Sequence, residues 1–490
     1  MHTGKTRVRA AVCGAVATLL LSAVAEAQVA SALLRENDEL LAGETISALS
    51  NTAVNHVGGF ACSLSTVGTG TISRIWGNAS GGPGALMRSE ATFGTLQQNS
   101  FESFYGMSDT GQLVYSAISE DTKSGATGLD GVWRDDVPVL NELDPVHSLP
   151  GQFSSFNSRP GVTGDGVPWW VGGITSSQGG TTQNRVLFSG LSADVIVMGG
   201  DFIPGIPDPI KTASGGIDFD FRVSRFGTNW INLLNVDSGT SDDGIIVING
   251  EALFVVGGIV REDSPVPAAV GGLPGELWDN FDYQGINETG DHFFTGDTNA
   301  AAASDEFVFK NGQIVLREGT VLDLGGIPVP LAGAIEGGYM NRQGDWAVIW
   351  DVDLPVANVE ALIANRRILL VEGALVDWNG DGEIDFNDNG GVLENFTGIS
   401  ALTVGARQGS IVRIYFTADI DFGGTLVEGF FCIEFLLADF DGNGSVGAFD
   451  LAQLLGSWGP CADCNNCPAD FDGDCDVDAA NLAFLLGAWG

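Results

Sequence analysis

The chain has 490 residues and a formal net charge of −41, from 62 acidic side chains against 21 lysines and arginines. Phosphate contacts need Lys and Arg, so this balance excludes nucleic acid and anionic lipid as partners and suits divalent cations. With 44% hydrophobic residues and 70 glycines, the chain has material for a large core broken by many turns.

Residues 1–27 read as an export signal. Lys5, Arg7 and Arg9 precede an apolar run from Ala10 to Val24, and Ala25-Glu26-Ala27 forms an A-x-A cleavage site. That run is too short to span a bilayer, and no later segment is apolar for long enough. The expectation is a secreted protein, extracellular or associated with the cell surface, with no membrane span after signal removal. Cys13 leaves with the signal, and the six remaining cysteines fit disulfides in an oxidising compartment. Cys461, Cys464, Cys467 and Cys475 cluster near the C-terminus; the C-x2-C pair also fits a zinc knuckle, but no fourth ligand stands at zinc-site spacing.

From residue 28 to 437 a strand-opening signature recurs. It is a polar turn, a glycine, then an apolar run, with the glycines at Gly58, Gly111, Gly166, Gly227, Gly290, Gly344 and Gly409. Three residues before the glycine stand Asn55, Asn287 and Asn341, or Ser108, Thr163 and Ser224, residues that favour turns through local backbone hydrogen bonds. Hairpins lie between the signatures, at 130–140, 243–256 and 305–319, with Asp135-Asp136, Asn249-Gly250 and Asn311-Gly312 at the turns. Seven such units, β-rich and without helical periodicity, predict a mainly β fold, a seven-bladed β-propeller. A stacked β-solenoid or a pair of sandwiches shares these signals. The segment near Leu33–Arg35 matches the end of a repeat and would complete the last blade, removing the exposed sheet edge. Cys62 then lies in the first blade and Cys432 in the last, placed to fasten the seam with a disulfide. The repeat resembles a secreted bacterial tandem-repeat family with an Asn-x-x-Gly-x-x-x-Phe signature.

An insertion at 377–388, DWNGDGEIDFND, has the layout of a calcium loop. Asp377, Asn379, Asp381, Glu383, Asp385 and Asp388 are its candidate ligand positions, and Gly382 takes the sharp turn. No amphipathic helix precedes it, so the reading is Ca2+ pinning a loop.

Residues 438–490 contain a loop-plus-helix unit twice. Asp439, Asp441, Asn443, Ser445 and Asp450 are candidate ligands in the first copy, and Asp470, Asp472, Asp474, Asp476 and Asn481 in the second. After each loop comes an apolar stripe, Leu451, Leu454, Leu455, Trp458 and then Leu482, Leu485, Leu486, Trp489, spaced to bury one helix against the other. The duplication resembles a type I dockerin, in a Cys-containing form that ends many large secreted bacterial proteins as an anchoring or sorting tail. That resemblance implies a calcium-dependent fold and a cohesin-like or cell-surface protein as partner. Two departures stand against a cellulosomal cohesin: Cys475 replaces the turn glycine, and Ala448, Phe449, Ala479 and Ala480 replace small hydroxyl residues.

Catalytic patterns are scarce. His56, His147 and His292 fall in no metal spacing, no G-x-S-x-G elbow exists, and Gly442 to Gly447 form a G-x-G-x-x-G only inside an aspartate loop. Trp169, Trp230 and Phe293 stand three residues after a repeat glycine, as do Ala61, Val114, Ala347 and Val412, which reads as inter-blade packing rather than sugar stacking. The expectation is a non-enzymatic interaction or display platform with a calcium-dependent tail. The alternative is a carbohydrate-active protein that binds or cleaves polysaccharide as a glycoside hydrolase or lyase, with no catalytic pair selectable from the sequence.

Overall fold

The computed structural model describes residues 28–490 except 69, 147–148, 157–159, 176–183, 213–214, 239–242, 355–356, 398–401, 462–466 and 472–474. His147, Cys464, Asp472 and Asp474 therefore lie outside the described residues.

Among the described residues, seven antiparallel sheets of four or five strands follow one another, with two further two-stranded pairs at 254–259 and 459–477. We number them as blades 1 (39–89), 2 (92–141), 3 (152–198), 4 (222–252), 5 (278–317), 6 (321–371) and 7 (392–436). The strand Ala30–Arg35 pairs with Leu426–Leu436 of blade 7, through Ala30 with Ile433 and Arg35 with Gly429. The fold is thus a seven-bladed propeller closed by its own N-terminal strand, which caps an edge that would otherwise recruit another chain.

Local chemistry sets each blade. All seven repeat glycines have positive φ, from 63° at Gly409 to 99° at Gly58, a region costly for any residue with a Cβ. The hairpin turns Asn249-Gly250 and Asn311-Gly312 have positive φ at both residues, the geometry that suits the strand twist. The position three residues after each glycine is buried in every blade, from Ala61 to Val412. Phe293 of blade 5 stacks on Trp346 of blade 6 at 6.1 Å, so that position does join neighbouring blades. Trp169, Trp170, Trp230, Trp346 and Trp350 are all buried.

Two expectations are corrected. Cys62 and Cys432 are free thiols, not a seam disulfide. They share one apolar cluster with Tyr415 and Phe430, but the Cys62 thiol donates to the Ser63 carbonyl at 3.4 Å. Burial pushes both thiols up to about 12, so neither supplies the thiolate that disulfide exchange needs. The seam rests on strand pairing and this cluster instead.

The second correction concerns the tail helices, Ala448–Gly456 and Ala479–Gly487. Their stripes do not bury wholly against each other. Leu454 and Leu485 are buried, whereas Leu455, Trp458, Leu486 and Trp489 are each about half exposed. A short helix turns only a narrow face to its neighbours, and here that face also packs on the propeller. Val446, Leu454, Phe471, Val477 and Leu485 join the same core as Ile414, Phe416 and Phe435 of blade 7. Arg367 of blade 6 donates to the carbonyls of Leu436 and Leu437 at 2.9 Å and to that of Asp439. The tail is docked on blades 6 and 7. Cys461 and Cys467 form a disulfide within it.

Candidate functional site: the channel mouth and the calcium-type loops

The turn before each repeat glycine lies at one mouth of the central channel, and its side chains do two jobs. Asn55 accepts from the backbone N–H of Val57 and Gly59 with its oxygen, fixing its own turn. Its amide nitrogen donates to the Ser108 carbonyl of the next blade at 3.1 Å. Asn287 and Asn341 repeat the arrangement, donating to the carbonyls of Arg342 at 3.0 Å and Gly405 at 2.8 Å. The sequence signals only the local half of this. The inter-blade half exists because the longer amide holds its donors beyond its acceptor, whereas the hydroxyls of Ser108, Thr163 and Ser224 sit close to the backbone and accept from Gln112, Val167 and Asn229 N–H within their own turns.

Where Asn is absent, backbone takes over. Asp109 N–H donates to the Gly164 carbonyl at 3.0 Å, Gly164 N–H to the Arg225 carbonyl at 2.7 Å, and Arg225 N–H to Glu288 Oε1 at 2.8 Å. Gln408 Nε2 reaches the Val57 carbonyl at 3.4 Å and closes the circuit from blade 7 to blade 1. Hydrogen bonds therefore run around the mouth through all seven blades, making it a rigid rim.

One position of the turn is free to vary. Two residues before the glycines stand His56, Asp109, Gly164, Arg225, Glu288, Arg342 and Arg407. Three of these pair across blades. Asp109 Oδ2 accepts from Arg225 Nε at 2.6 Å, and Asp109 Oδ1 lies 3.3 Å from His56 Nδ1. Burial would raise the Asp109 carboxyl, but hydrogen bonds from His56 and Arg225 outweigh it and hold it at about 2. Gly164 has to be glycine for this contact: a Cβ there would sit 2.5 Å from Asp109 Oδ2 and 2.9 Å from Arg225 Cγ. Arg407 turns outward, donating to Asp345 at 2.7 and 3.0 Å and to the Phe471 carbonyl of the tail at 2.9 Å.

Beside the rim lies a cavity of about 50 Å³, lined by His56, Arg222, Arg225, Glu288, Tyr339 and Arg342 among others. Arg222 pairs with Asp220 and sits 5.6 Å from the Tyr339 ring centroid, while its buried Nη2 has no acceptor. Arg342 makes no ion pair among the described residues. Phe226, beside Arg225 with its ring 5.2 Å from that guanidinium, is 65% exposed. Sequence reasoning set His56 aside and missed the arginines. The available signal was the chemical divergence of one position in an otherwise regular turn.

The three calcium-type loops share one hydrogen-bond pattern. The first aspartate accepts from the N–H of the sixth residue in each: Gly382 to Asp377 at 2.7 Å, Gly444 to Asp439 at 2.9 Å, Cys475 to Asp470 at 2.9 Å. The twelfth residue accepts from the ninth: Asp385 to Asp388 at 2.6 Å, Gly447 to Asp450 at 2.7 Å, Asp478 to Asn481 at 2.9 Å. Cys475 takes the turn with φ 71° despite its Cβ. Carboxylate oxygens of Asp439, Asp441 and Asp450 lie within 4.8 Å of one another, and Asp377, Asp388, Asp439, Asp450 and Asn481 are buried. Asn379 accepts from Asp381 N–H at 2.8 Å and Asn443 from Ser445 N–H at 2.9 Å, while Glu383 and Ser445 stay at the surface. The 377–388 loop also grips the closing strand: Ala32 N–H donates to the Asp377 carbonyl at 2.9 Å, and Asp377 N–H to the Ala30 carbonyl at 3.1 Å.

No protein-family model and no curated protein sequence matches this chain. Among solved structures it is similar to prolyl oligopeptidase B from Galerina marginata, at 11% identity and a TM-score of 0.37 over 83% of this chain. It spans about half of that enzyme, 51%. TolB from Acinetobacter baumannii is similar at 14% identity and a TM-score of 0.27, over 60% of this chain and 57% of that one. The Dos1 propeller is similar at 8% identity and a TM-score of 0.32, over 84% and 95%. The seven blades are counted from strand pairing alone.

Proposed function

We propose that this is an exported, non-enzymatic binding protein that presents the channel mouth to its partner and is anchored or sorted through a calcium-dependent, dockerin-like tail. One observation carries the binding reading. Within the repeat the turn residues keep a single structural task, while the position two before the glycine is occupied by His56, Asp109, Gly164, Arg225, Glu288, Arg342 and Arg407, which differ in charge and size on a hydrogen-bonded rim. Rigid scaffold with a variable ring is how binding faces are built.

For the tail and the 377–388 loop, we take the shared hydrogen bonds of the three loops as support for Ca2+. Alternate residues converge oxygens there, as a hard cation requires. The half-exposed Leu455, Trp458, Leu486 and Trp489 offer a surface for a cohesin-like or cell-surface protein. A carbohydrate-active protein is the second reading, favoured by the exposed Phe226 at the rim.

The test is a glycan array and a surface-protein pull-down with residues 28–490 in calcium, compared with a Phe226→Ala, Arg342→Gln double variant. A partner lost in that variant supports the mouth. A partner retained equally removes it, and reducing-sugar release from a bound glycan would replace the non-enzymatic reading by the carbohydrate-active one.

A further inference from the structure

A second site lies away from the mouth, at the seam that the closing strand makes with the 377–388 loop. The turn after Ala30–Arg35, that loop and the blade 7 hairpin between Ile411–Asp421 and Leu426–Leu436 wall an open groove of about 530 Å³. Small-ligand sites span about 300–1,000 Å³, so the groove has the room that the cavity beside the rim lacks. Its aromatic part is held in place. Trp378 meets Phe422 edge to face, 5.1 Å between ring centroids. Gly429 makes space for the indole: a Cβ there would sit 2.8 Å from its six-membered ring. Both aromatic side chains stay partly exposed.

The charges of the groove are already answered. Among the described residues its walls carry one base, Arg35, against Glu36 and Asp38. Arg35 Nε donates to Asp38 at 2.8 Å and Nη1 to the Trp378 carbonyl at 3.2 Å, with the guanidinium 6.0 Å from the Trp378 ring centroid. A cationic ligand finds that place beside the indole taken. An anionic ligand meets two carboxylates and a guanidinium that is already paired. Uncommitted hydrogen-bonding groups remain. Asn37 and Asn389 are exposed, and their side-chain amides make no hydrogen bond among the described residues. Their backbones are fixed at φ 70° and 55°, with Asn37 N–H on the Ile46 carbonyl at 2.8 Å and Asn389 N–H on the Phe386 carbonyl at 3.4 Å. Each amide offers one acceptor and two donors, a set that matches neighbouring hydroxyls.

We propose that this groove binds a neutral sugar, a unit of an uncharged glycan, with its apolar ring face toward Trp378 and Phe422 and its hydroxyls on Asn37, Asn389 and the Glu36 and Asp38 carboxylates. The site is separate from the mouth and does not rest on it.

The test is calorimetric titration of residues 28–490, in millimolar calcium, with cellohexaose, xylohexaose, mannohexaose and laminarihexaose. A hexameric oligogalacturonide and a chitosan hexamer serve as the anionic and cationic counterparts. At least one neutral hexamer should bind about tenfold more tightly than either charged one. An Asn37→Gly, Asn389→Gly variant should lose most of that affinity. Glycine accepts both positive-φ positions, so the variant removes the amides and keeps the turns. Phe422→Leu, which keeps apolar volume and removes the ring, should weaken the same hexamer. The Phe226→Ala, Arg342→Gln variant should bind it as the parent chain does. That pattern takes the glycan away from the mouth, whose reading then stands or falls on a protein partner. No heat from any neutral hexamer up to roughly 10 mM, equal affinity for a charged hexamer, or indifference to the asparagine variant overturns the proposal. A neutral hexamer lost in the mouth variant and kept in the asparagine variant overturns it as well, while supporting the mouth.

Discussion

The two ends of blade 5 carry their acids in opposite states. At the mouth end, where Ile286 pairs with His292, Asp291 is held below the usual carboxylate range. Burial opposes that, but hydrogen bonds from Asn287, Thr289 and Asn311 and the charge of Lys310 prevail. At the far end, where Trp278 pairs with Thr298, burial and mutual repulsion push Asp282 and Asp297 up to about 6 and Glu306 up to about 8. Burial first, and then Asp305, pushes Glu318 up to about 7. Arg317 is nearby but is held by Glu276 at 2.6 Å. The mouth holds Asp109 and Asp291 below their ordinary values through hydrogen-bond donors, whereas the far end pushes Asp282, Asp297 and Glu306 above theirs. A chain this short of bases places them where geometry has to be fixed.

The largest expected effect tests the calcium proposed for the three aspartate loops. Chelation should lower the melting temperature of residues 28–490 by about 10 °C relative to millimolar calcium, since any ligand bound only by the folded state stabilises it. Asp377→Asn should lose part of that difference and speed hydrogen exchange in Ala30–Arg35, because the Asp377 backbone holds that strand. Identical melts with and without calcium would remove calcium from the description of all three loops.

Next comes pH. In the unfolded chain the carboxyls of Glu306 and Asp297 ionise near their ordinary values of 4.5 and 3.8, while the folded ones wait until about 8 and about 6. Between those limits the folded state binds more protons, so stability falls as pH rises. The melting temperature should drop by about 5 °C from pH 5 to pH 8, and Glu306→Gln should flatten much of the slope. A melting temperature that rises over that interval would show the far end to be ion-paired like the mouth. The mouth has the reverse sign. Asp109 contributes stability above its unfolded value of 3.8, and that contribution is lost as pH falls through about 2.

Much of this architecture was readable beforehand. The repeat glycines, the Asn-Gly hairpins and the closing N-terminal segment each rest on local backbone rules, and each lies where those rules place it. The buried position after the glycine was also legible, because one residue type after another there is apolar. The site was not. His56, Asp109 and Arg225 lie far apart in sequence and meet only because the propeller closes, with Arg225 and Asp109 116 residues apart. Cys62 and Cys432 misled for a related reason: seam proximity was foreseeable from topology, whereas their free, buried thiols depend on packing around Tyr415. The tail stripes are helical through Leu455 and Leu486, Trp458 and Trp489 lie past the helix ends, and which residues would be covered depended on blade 7.

The smallest effect tests the rim most directly. Gly164 is the one member of the ring without a side chain, and Arg225 reaches Asp109 across the space a Cβ would fill. In Gly164→Ala the Cβ, 2.5 Å from Asp109 Oδ2, must displace that flexible carboxylate or the Arg225 stem. Neither is backbone, so the fold should survive with a loss of about 1 kcal/mol. Once Arg225 no longer donates to it, the Asp109 carboxyl keeps its burial and loses one of the bonds that opposed burial, so it should titrate above its present value of about 2. Carbon-detected NMR of the Asp109 carboxyl, followed from pH 5 downward, reads this without reference to any ligand. An Asp109 that titrates as in the parent chain would mean that the arginine bridge contributes nothing to the depression, leaving His56 alone to account for it.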